Sequence, residues 1–339
     1  MTVKQVAIIG LGKMGEKYIS FLKNKTPFRI CCIVDKNKRL TKFIAKKYNL
    51  NNYCYDYKSI FLINFKIDIV IIATTLPARF QIIKYCLENN IKYILAEKPL
   101  CSSIKQSILI RNKNKKSRIS VNYVRRYVSV YSLIKKKISS GEIGVLRSLT
   151  IQMGGGQIGS NGVHMTDLAR YLTGSEATKV IGFLDKSSKK NPRGSYFKDP
   201  GGFAIIFFKK NIRVVIDMVN DHSSPASISI LCSKGRIFFD ERKKYYEVYM
   251  RPKKYFHLPV SNRIEFDKKI VKCSDFNITN AIEANIRNLI SKKNLASNVD
   301  DAIKSLEIVA AIHISSANKN IKVKIPLEKK YHEKKYKFA

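Results

Sequence analysis

The stretch "QVAIIGLGKMGEKYISFLKNK" (residues 5–25) decides the fold. It opens on an apolar run, passes three glycines and continues with Tyr18, Phe21 and Leu22 at helical spacing, so it reads as strand, turn and helix. Gly10, Gly12 and Gly15 stand in G-x-G-x-x-G register. In that setting the first glycine permits a tight turn, the second lets the backbone approach a pyrophosphate, and the third lets the helix pack closely on the strand. The pyrophosphate would rest on amides at the helix start, which makes Leu11, Lys13 and Met14 part of the same candidate cofactor loop. Asp35 ends the next apolar run, "FRICCIVD" (28–35). A carboxylate there takes the adenine ribose hydroxyls and repels the extra phosphate of NADP. The expected cofactor is therefore NAD, with NADP second, although Lys36 and Lys38 temper that preference.

Outward from this unit, "IDIVIIAT" (67–74), "KYILAE" (92–97) and "RISVNY" (118–123) repeat the apolar run. Continuous runs of this kind suit parallel strands covered on both faces. A helix candidate, "ARFQIIKYCLENN" (78–90), lies between two of them. The repeated β-α-β pattern predicts an α/β doubly wound Rossmann domain over residues 1–121. Residues 122–327 read differently. Helices at "VYSLIKKKISSGEIG" (130–144) and "GVHMTDLARYLTG" (162–174) accompany strands at "GGFAIIFF", "IRVVIDMV", "SISILCSKGRIFFDE" and "YYEVYMR". The glycine turn at 233–237 joins two of those strands, so this second, α+β domain is expected to be largely antiparallel. Two further helices, "ITNAIEANIRNLISK" (278–292) and "VDDAIKSLEIVAAIHISSAN" (299–318), are read as closing it. The basic tail, 328–339, is expected to fray.

With 339 residues the chain can bury two cores, and 45% hydrophobic with 26% charged residues marks a globular protein. Lys and Arg number 64 against 25 Asp and Glu, a net charge of +39. Such a balance can serve nucleic acid, an anionic membrane or an anionic substrate. Here the lysines are scattered through every segment and Trp is absent. That pattern suits AT-rich coding and solvated faces better than a binding patch, so neither nucleic acid nor membrane is expected as a partner. A diffuse positive field still favours a phosphorylated or carboxylated substrate. The seven cysteines form no C-x-x-C and sit mostly in apolar runs. They read as reduced thiols in a cytoplasm, with no disulfide framework and no metal site. The N-terminus lacks the length and cleavage site of a signal peptide, and no apolar run reaches the roughly 18 residues of a membrane span.

Two segments carry the remaining chemistry. In "ILAEKPLCS" (94–102), Lys98 follows the strand at the edge where such sheets bind ligands, with Glu97 to orient its amine and Pro99 to fix the turn. A cis peptide is expected at 98–99. Held beside a nicotinamide and partly desolvated, this lysine would exchange a proton with a hydroxyl; a salt-bridged lysine at a strand end is the competing reading. In "SNGVHMTDLARYLTG", His164 and Asp167 share one helix face after a glycine-rich run, which suits a proton relay or a sugar hydroxyl. A satisfied structural histidine fits that segment equally well. His222, His257, His313 and His332 read as structural or solvated. In "NYVRRY" (122–127), Asn122 and Tyr123 are expected to face the interdomain crevice. Arg125 and Arg126 would meet an anionic substrate, with one of them in an ion pair instead.

With "GLGKMG", "AEKP", "NYVRRY", "SSGEIGVLRSL" and "GVHMTDLARYLTG" in this order, the chain resembles the Gfo/Idh/MocA oxidoreductase family, which includes glucose–fructose oxidoreductase and inositol dehydrogenase. The resemblance runs almost end to end. It implies a Rossmann domain, a second domain with an open sheet that often forms oligomer contacts (a dimer or tetramer), a nicotinamide cofactor, and a sugar, polyol or sugar-nucleotide substrate. By position it makes Lys98 the catalytic lysine and His164 the relay or substrate-binding histidine. Asp167, Asn161, Tyr123 and Arg125 then line the substrate pocket, while Asn122, Glu97, Thr74, Thr75 and Pro77 flank the cofactor. Two positions depart from the pattern: Ser160 stands where many members carry an acid, and Arg79 where many carry a histidine. The expected activity is hydride transfer between nicotinamide and a carbinol carbon, with a hint of surface-polysaccharide sugars. An NAD-dependent glycosidase on the same fold and a non-catalytic nucleotide-binding protein are the alternatives.

Overall fold

The computed structural model describes residues 3–338 other than 24, 26, 63–65, 115, 187–190, 192–193, 222–223, 260–263 and 275. His222 falls outside the described residues. The chain divides into two compact units: Met1–Tyr127, Ile278–Lys304 and His332–Lys337 form one, and Val128–Asn277, Ser305–Tyr331 and Phe338–Ala339 the other.

In the first unit the apolar runs become parallel strands: β1 (Lys4–Ile9), β2 (Phe28–Val34), the short β3 (Tyr53–Cys54), β4 (Ile69–Ile72), β5 (Tyr93–Ala96) and β6 (Arg118–Val121). Their order is β3-β2-β1-β4-β5-β6, and every neighbouring pair is parallel. Helices α1 (Lys13–Lys23), α2 (Lys38–Tyr48), α3 (Leu76–Glu88) and α4 (Ile104–Lys113) make the crossovers. Local chemistry sets their ends. The Asn37 side chain accepts from Leu40 N at the start of α2, and Asn49 takes the left-handed conformation that stops it. Ser103 caps α4 through Gln106 N. Tyr18, Ile19, Phe21 and Leu22 of α1 are buried in one cluster with Val6, Ile8, Ile33, Ile69 and Leu95; each such side chain contributes about 1.5–3 kcal/mol.

The helix Ile278–Ile290, expected to close the second domain, belongs to the first unit, where Ile282, Ile286 and Leu289 join that cluster. Its amphipathic spacing announces a buried face without naming the sheet that covers it.

The second unit holds α5 (Ser129–Ser139), β7 (Leu146–Gln152), α6 (Gly162–Thr173), β8 (Ala177–Leu184), β9 (Gly202–Phe208), β10 (Arg213–Met218), β11 (Ser227–Cys232), β12 (Gly235–Asp240), β13 (Tyr245–Met250), β14 (Asp267–Lys272) and β15 (Val323–Lys324). These strands form one nine-stranded sheet, β14-β13-β12-β11-β7-β10-β9-β8-β15. Among the described residues β7 and β10 pair parallel and the other pairings are antiparallel.

The tail expected to fray is anchored instead. Tyr336 N donates to Ser102 O at 2.8 Å and Lys105 N to His332 O at 2.9 Å. Tyr336 and Phe338 are buried: the two aromatics give the lysine-rich stretch apolar area to bury. Among the described residues no helix is long and apolar enough to cross a membrane.

Candidate active site

In the first unit the predicted residues collect along the carboxyl edge of the parallel sheet, where strand order reverses between β1 and β4. The ladder extends past the strand ends and fixes the first residue of each loop. Gly10 N donates to Val34 O (2.7 Å), Ala73 N to Ile9 O (2.8 Å), Glu97 N to Ile72 O (3.0 Å) and Asn122 N to Ala96 O (2.8 Å).

The glycine loop fits a dinucleotide. Gly10 has φ +94°, and a Cβ there would meet Ala73 and Thr74 backbone; one on Gly15 would fall 1.9 Å from Gly10 O. At Gly12 nothing lies within 4 Å of that position, leaving the room a pyrophosphate needs. Asp35 Oδ2 accepts from Leu11 N (2.9 Å) and Oδ1 from Asn37 N (2.9 Å). A carboxylate has about four acceptor sites, so two backbone amides leave capacity for ribose hydroxyls. The Leu11 side chain is core, while Gly12 and Lys13 are exposed and Met14 half-buried at the start of α1. Thr74 is half-buried, and Thr75 and Pro77 lie exposed at the entry to α3.

Around Lys98 the structure is dense. The Lys98–Pro99 peptide is cis, and Lys98 itself is half-buried between buried neighbours. Glu97 Oε1 accepts from Tyr18 Oη and from Asn122 Nδ2, each at 2.7 Å. Asn122 Oδ1 accepts from Asn285 Nδ2 (3.2 Å), and Asn285 Oδ1 from Ser120 Oγ (2.6 Å). A continuous buried network thus joins α1, β5, β6 and the helix Ile278–Ile290. Burial, with the negative Glu97 beside it, holds the Tyr18 phenol well above the ordinary tyrosine range. Tyr123 and Arg125 are buried. Arg126 is ion-paired, with Nη2 3.0 Å from Asp301 Oδ1 and Nη1 donating to Ala296 O.

The second unit carries the other cluster. His164 lies in the first turn of α6, its N–H donating to Asn161 O (3.0 Å), and Asn161 is the N-cap residue. Gln157 shapes the entry: its backbone oxygen accepts from Asn161 and Gly162, and its Oε1 from Ser160 Oγ. Asp199 grips the same turn, with Oδ1 accepting from Gly159 N (2.7 Å) and Oδ2 from Ser160 N (2.9 Å). Asp167, 1% exposed, faces Ser305 Oγ (3.1 Å) and Arg170 Nη1 (3.7 Å). Arg170 in turn forms a two-point pair with Glu176. His164, Asp167 and Asn161 therefore share one helix start, and Lys98, Glu97, Asn122 and the glycine loop share one sheet edge.

These two arrangements stand beside what comparison with known proteins finds. A family model described as the oxidoreductase family, NAD-binding Rossmann fold (GFO_IDH_MocA), matches residues 4–123, and its companion, the C-terminal alpha/beta domain, matches residues 135–325. The chain belongs to this family. Scyllo-inositol 2-dehydrogenase (NAD(+)) of Bacillus subtilis strain 168 is 30% identical over 192 residues, which cover 52% of this chain and 56% of that protein. Inositol 2-dehydrogenase of Salmonella typhimurium strain LT2 is 31% identical over 154 residues, 42% of this chain and 44% of that one. The chain spans about half the length of the curated relatives it matches. The structure of levoglucosan dehydrogenase in complex with NADH and L-sorbose aligns with a TM-score of 0.80 at 21% identity, covering 97% of this chain and 100% of that chain. At that identity the likeness is one of fold.

Both departures of this Gfo/Idh/MocA member now have a local context. Ser160 offers its backbone amide to Asp199, a carboxylate reaching in from the approach to β9. Arg79 turns its guanidinium onto the Glu97 and Pro99 carbonyls that flank Lys98 and onto Thr74 O at the end of β4. Sequence reasoning missed Asp199 and Asn285, whose partners lie 40 and 163 positions away. It took Tyr18 only as part of an apolar helix face.

Proposed function

We propose that the protein is an NAD(H)-dependent oxidoreductase acting on a secondary hydroxyl of a cyclic polyol, sugar or sugar nucleotide. One observation carries the reading: the open glycine loop, Asp35 and the Glu97-supported turn bearing Lys98 stand on a single sheet edge. The family, and relatives named as inositol 2-dehydrogenases, support the polyol class. The seven cysteines form no C-x-x-C and fall mostly in apolar runs, which suits a cytoplasmic setting.

In this reading the bound dinucleotide supplies the hydride chemistry. The backbone at 10–12 admits its pyrophosphate, and Asp35 holds the adenine ribose. Lys98 takes the substrate hydroxyl proton as the carbinol is oxidised and returns it in the reverse direction. The family resemblance gives His164 substrate binding or a share in the proton, and its helix start has an entry that Asp199 and Gln157 hold. The buried network behind Glu97 keeps the lysine's turn from relaxing when the charge on its amine changes.

The test is Lys98→Ala. Its NADH affinity, read by fluorescence titration, should stay near that of the unaltered chain. NADH formation with a panel of inositols, sugars and sugar nucleotides should fall about a thousandfold or more. Full turnover in the variant overturns the role of Lys98. An unaltered chain that binds NADH but exchanges hydride with nothing in the panel is a binding module instead.

A further inference from the structure

Arg79 occupies an unfavourable place for a cation. It sits in the first turn of α3 (Leu76–Glu88), where the helix already presents partial positive charge. Its residue is 4% exposed, and a buried charge is costly unless it is well satisfied. Three backbone carbonyls contribute to that compensation. Nη1 donates to Glu97 O at 2.9 Å and to Pro99 O, and Nη2 donates to Thr74 O at 2.6 Å. One planar group thus spans the ends of β4 and β5 and holds the residues on both sides of Lys98. The Glu97 side chain is meanwhile held by Tyr18 and Asn122. The turn is therefore clamped twice, through its backbone by a cation and through its carboxylate by two donors.

We infer that Arg79 is a positioning residue for Lys98: its guanidinium holds the 97–99 turn through the Glu97 and Pro99 carbonyls, ties it to Thr74 O at the end of β4, and so sets where the amine meets the substrate hydroxyl. This rests on the proposed role of Lys98. The rigid fork of a guanidinium matches three fixed acceptors, whereas an ammonium is a compact point charge on a flexible stem. Lysine at this position keeps the charge and loses the geometry. Since a displacement near 1 Å costs about a hundredfold in rate, loss of the clamp should appear in kcat, with KM and cofactor affinity largely kept.

The experiment compares the full-length chain with Arg79→Lys and Arg79→Ala. The first readout needs no substrate. Trace acetylation with acetic anhydride is followed by mass spectrometry of the peptide bearing Lys98, with the exposed Lys42 as internal reference. In both variants Lys98 should become several-fold more reactive relative to Lys42, while NADH affinity changes by less than about threefold. Methylguanidinium added to Arg79→Ala should return Lys98 to its original reactivity and restore turnover, which a general loss of packing would not allow. Reactivity that is unchanged or lower in Arg79→Lys, or not restored in Arg79→Ala, overturns the inference. Lys98→Met, assayed alongside, separates the two ideas. If it retains turnover while the Arg79 variants still loosen the amine, the catalytic reading of Lys98 fails and the clamp on the turn stands. If it is inactive while the Arg79 variants keep both native reactivity and turnover, the clamp fails and Lys98 stands.

Discussion

A phenol buried against a carboxylate stays there only because each satisfies the other. Tyr18 has no exposed surface, and its hydroxyl donates to Glu97 Oε1 at 2.7 Å. The same oxygen receives Asn122 Nδ2, so Glu97 meets one donor from the cofactor helix and one from the end of β6. Hydrogen bonds to charged groups contribute about 1.5–3 kcal/mol. Tyr18→Phe keeps the ring in its core and deletes only the donor. It should lower the stability of the first unit by about 2 kcal/mol in urea denaturation, with the change seen in the midpoint and not in the slope. A loss below about 0.5 kcal/mol would mean that Glu97 draws little from the phenol. Because burial and Glu97 both push the phenol's ionisation up, Tyr18 should also stay silent in an alkaline absorbance titration of the folded chain.

At the scale of elements, the glycine loop and α1 work as one device whose two halves can be separated. Gly12 faces open space, whereas a Cβ on Gly15 would overlap Gly10 O. Gly12→Ala should therefore leave the melting temperature within about 1 °C, since an exposed substitution costs at most about 0.5 kcal/mol, and should still weaken NADH binding at least about tenfold by obstructing the pyrophosphate. Gly15→Ala should lower the melting temperature and the affinity together. Equal melting temperatures for the two variants would refute this division of labour. The loop was legible in the sequence because local spacing carries it, and so was the turn at 97–99, since a strand end followed by proline leaves few conformations. Parallel strands such as β4 and β5, buried throughout, announce themselves as unbroken apolar runs. Strand β14 does not: nearly all of its side chains are exposed, and it is held by its ladder to β13, which no hydropathy pattern records. The membership of Ile278–Ile290 in the first unit was equally hidden, because amphipathic spacing fixes a face but not its partner. Asp199 and Asn285 act across long separations, where one sequence offers no signal of contact.

For the whole molecule the governing quantity is the excess of 64 basic over 25 acidic residues. There are too few carboxylates to pair every cation, and several arginines donate to backbone carbonyls. Arg118 donates to Leu289, Asn288 and Lys293, Arg251 to Leu258 and Pro259, and Arg79 to Thr74, Glu97 and Pro99. A guanidinium suits this role because its donors are fixed in a plane and its hydration is weak. The exposed lysines, by contrast, mainly repel one another through water. Surface ion pairs such as Lys105–Glu333 and Lys330–Glu328 contribute little in such settings, so screening should relieve more repulsion than it weakens attraction. The Debye length shortens from roughly 10 Å at 0.1 M salt to about 3 Å at 1 M. Raising sodium chloride across that range should therefore raise the melting temperature, by about 3 °C for each kcal/mol of repulsion removed. Calorimetry at several salt concentrations checks the sign. A melting temperature that falls on adding salt would mean that the scattered pairs, and not the unbalanced lysines, dominate the electrostatics of the folded chain.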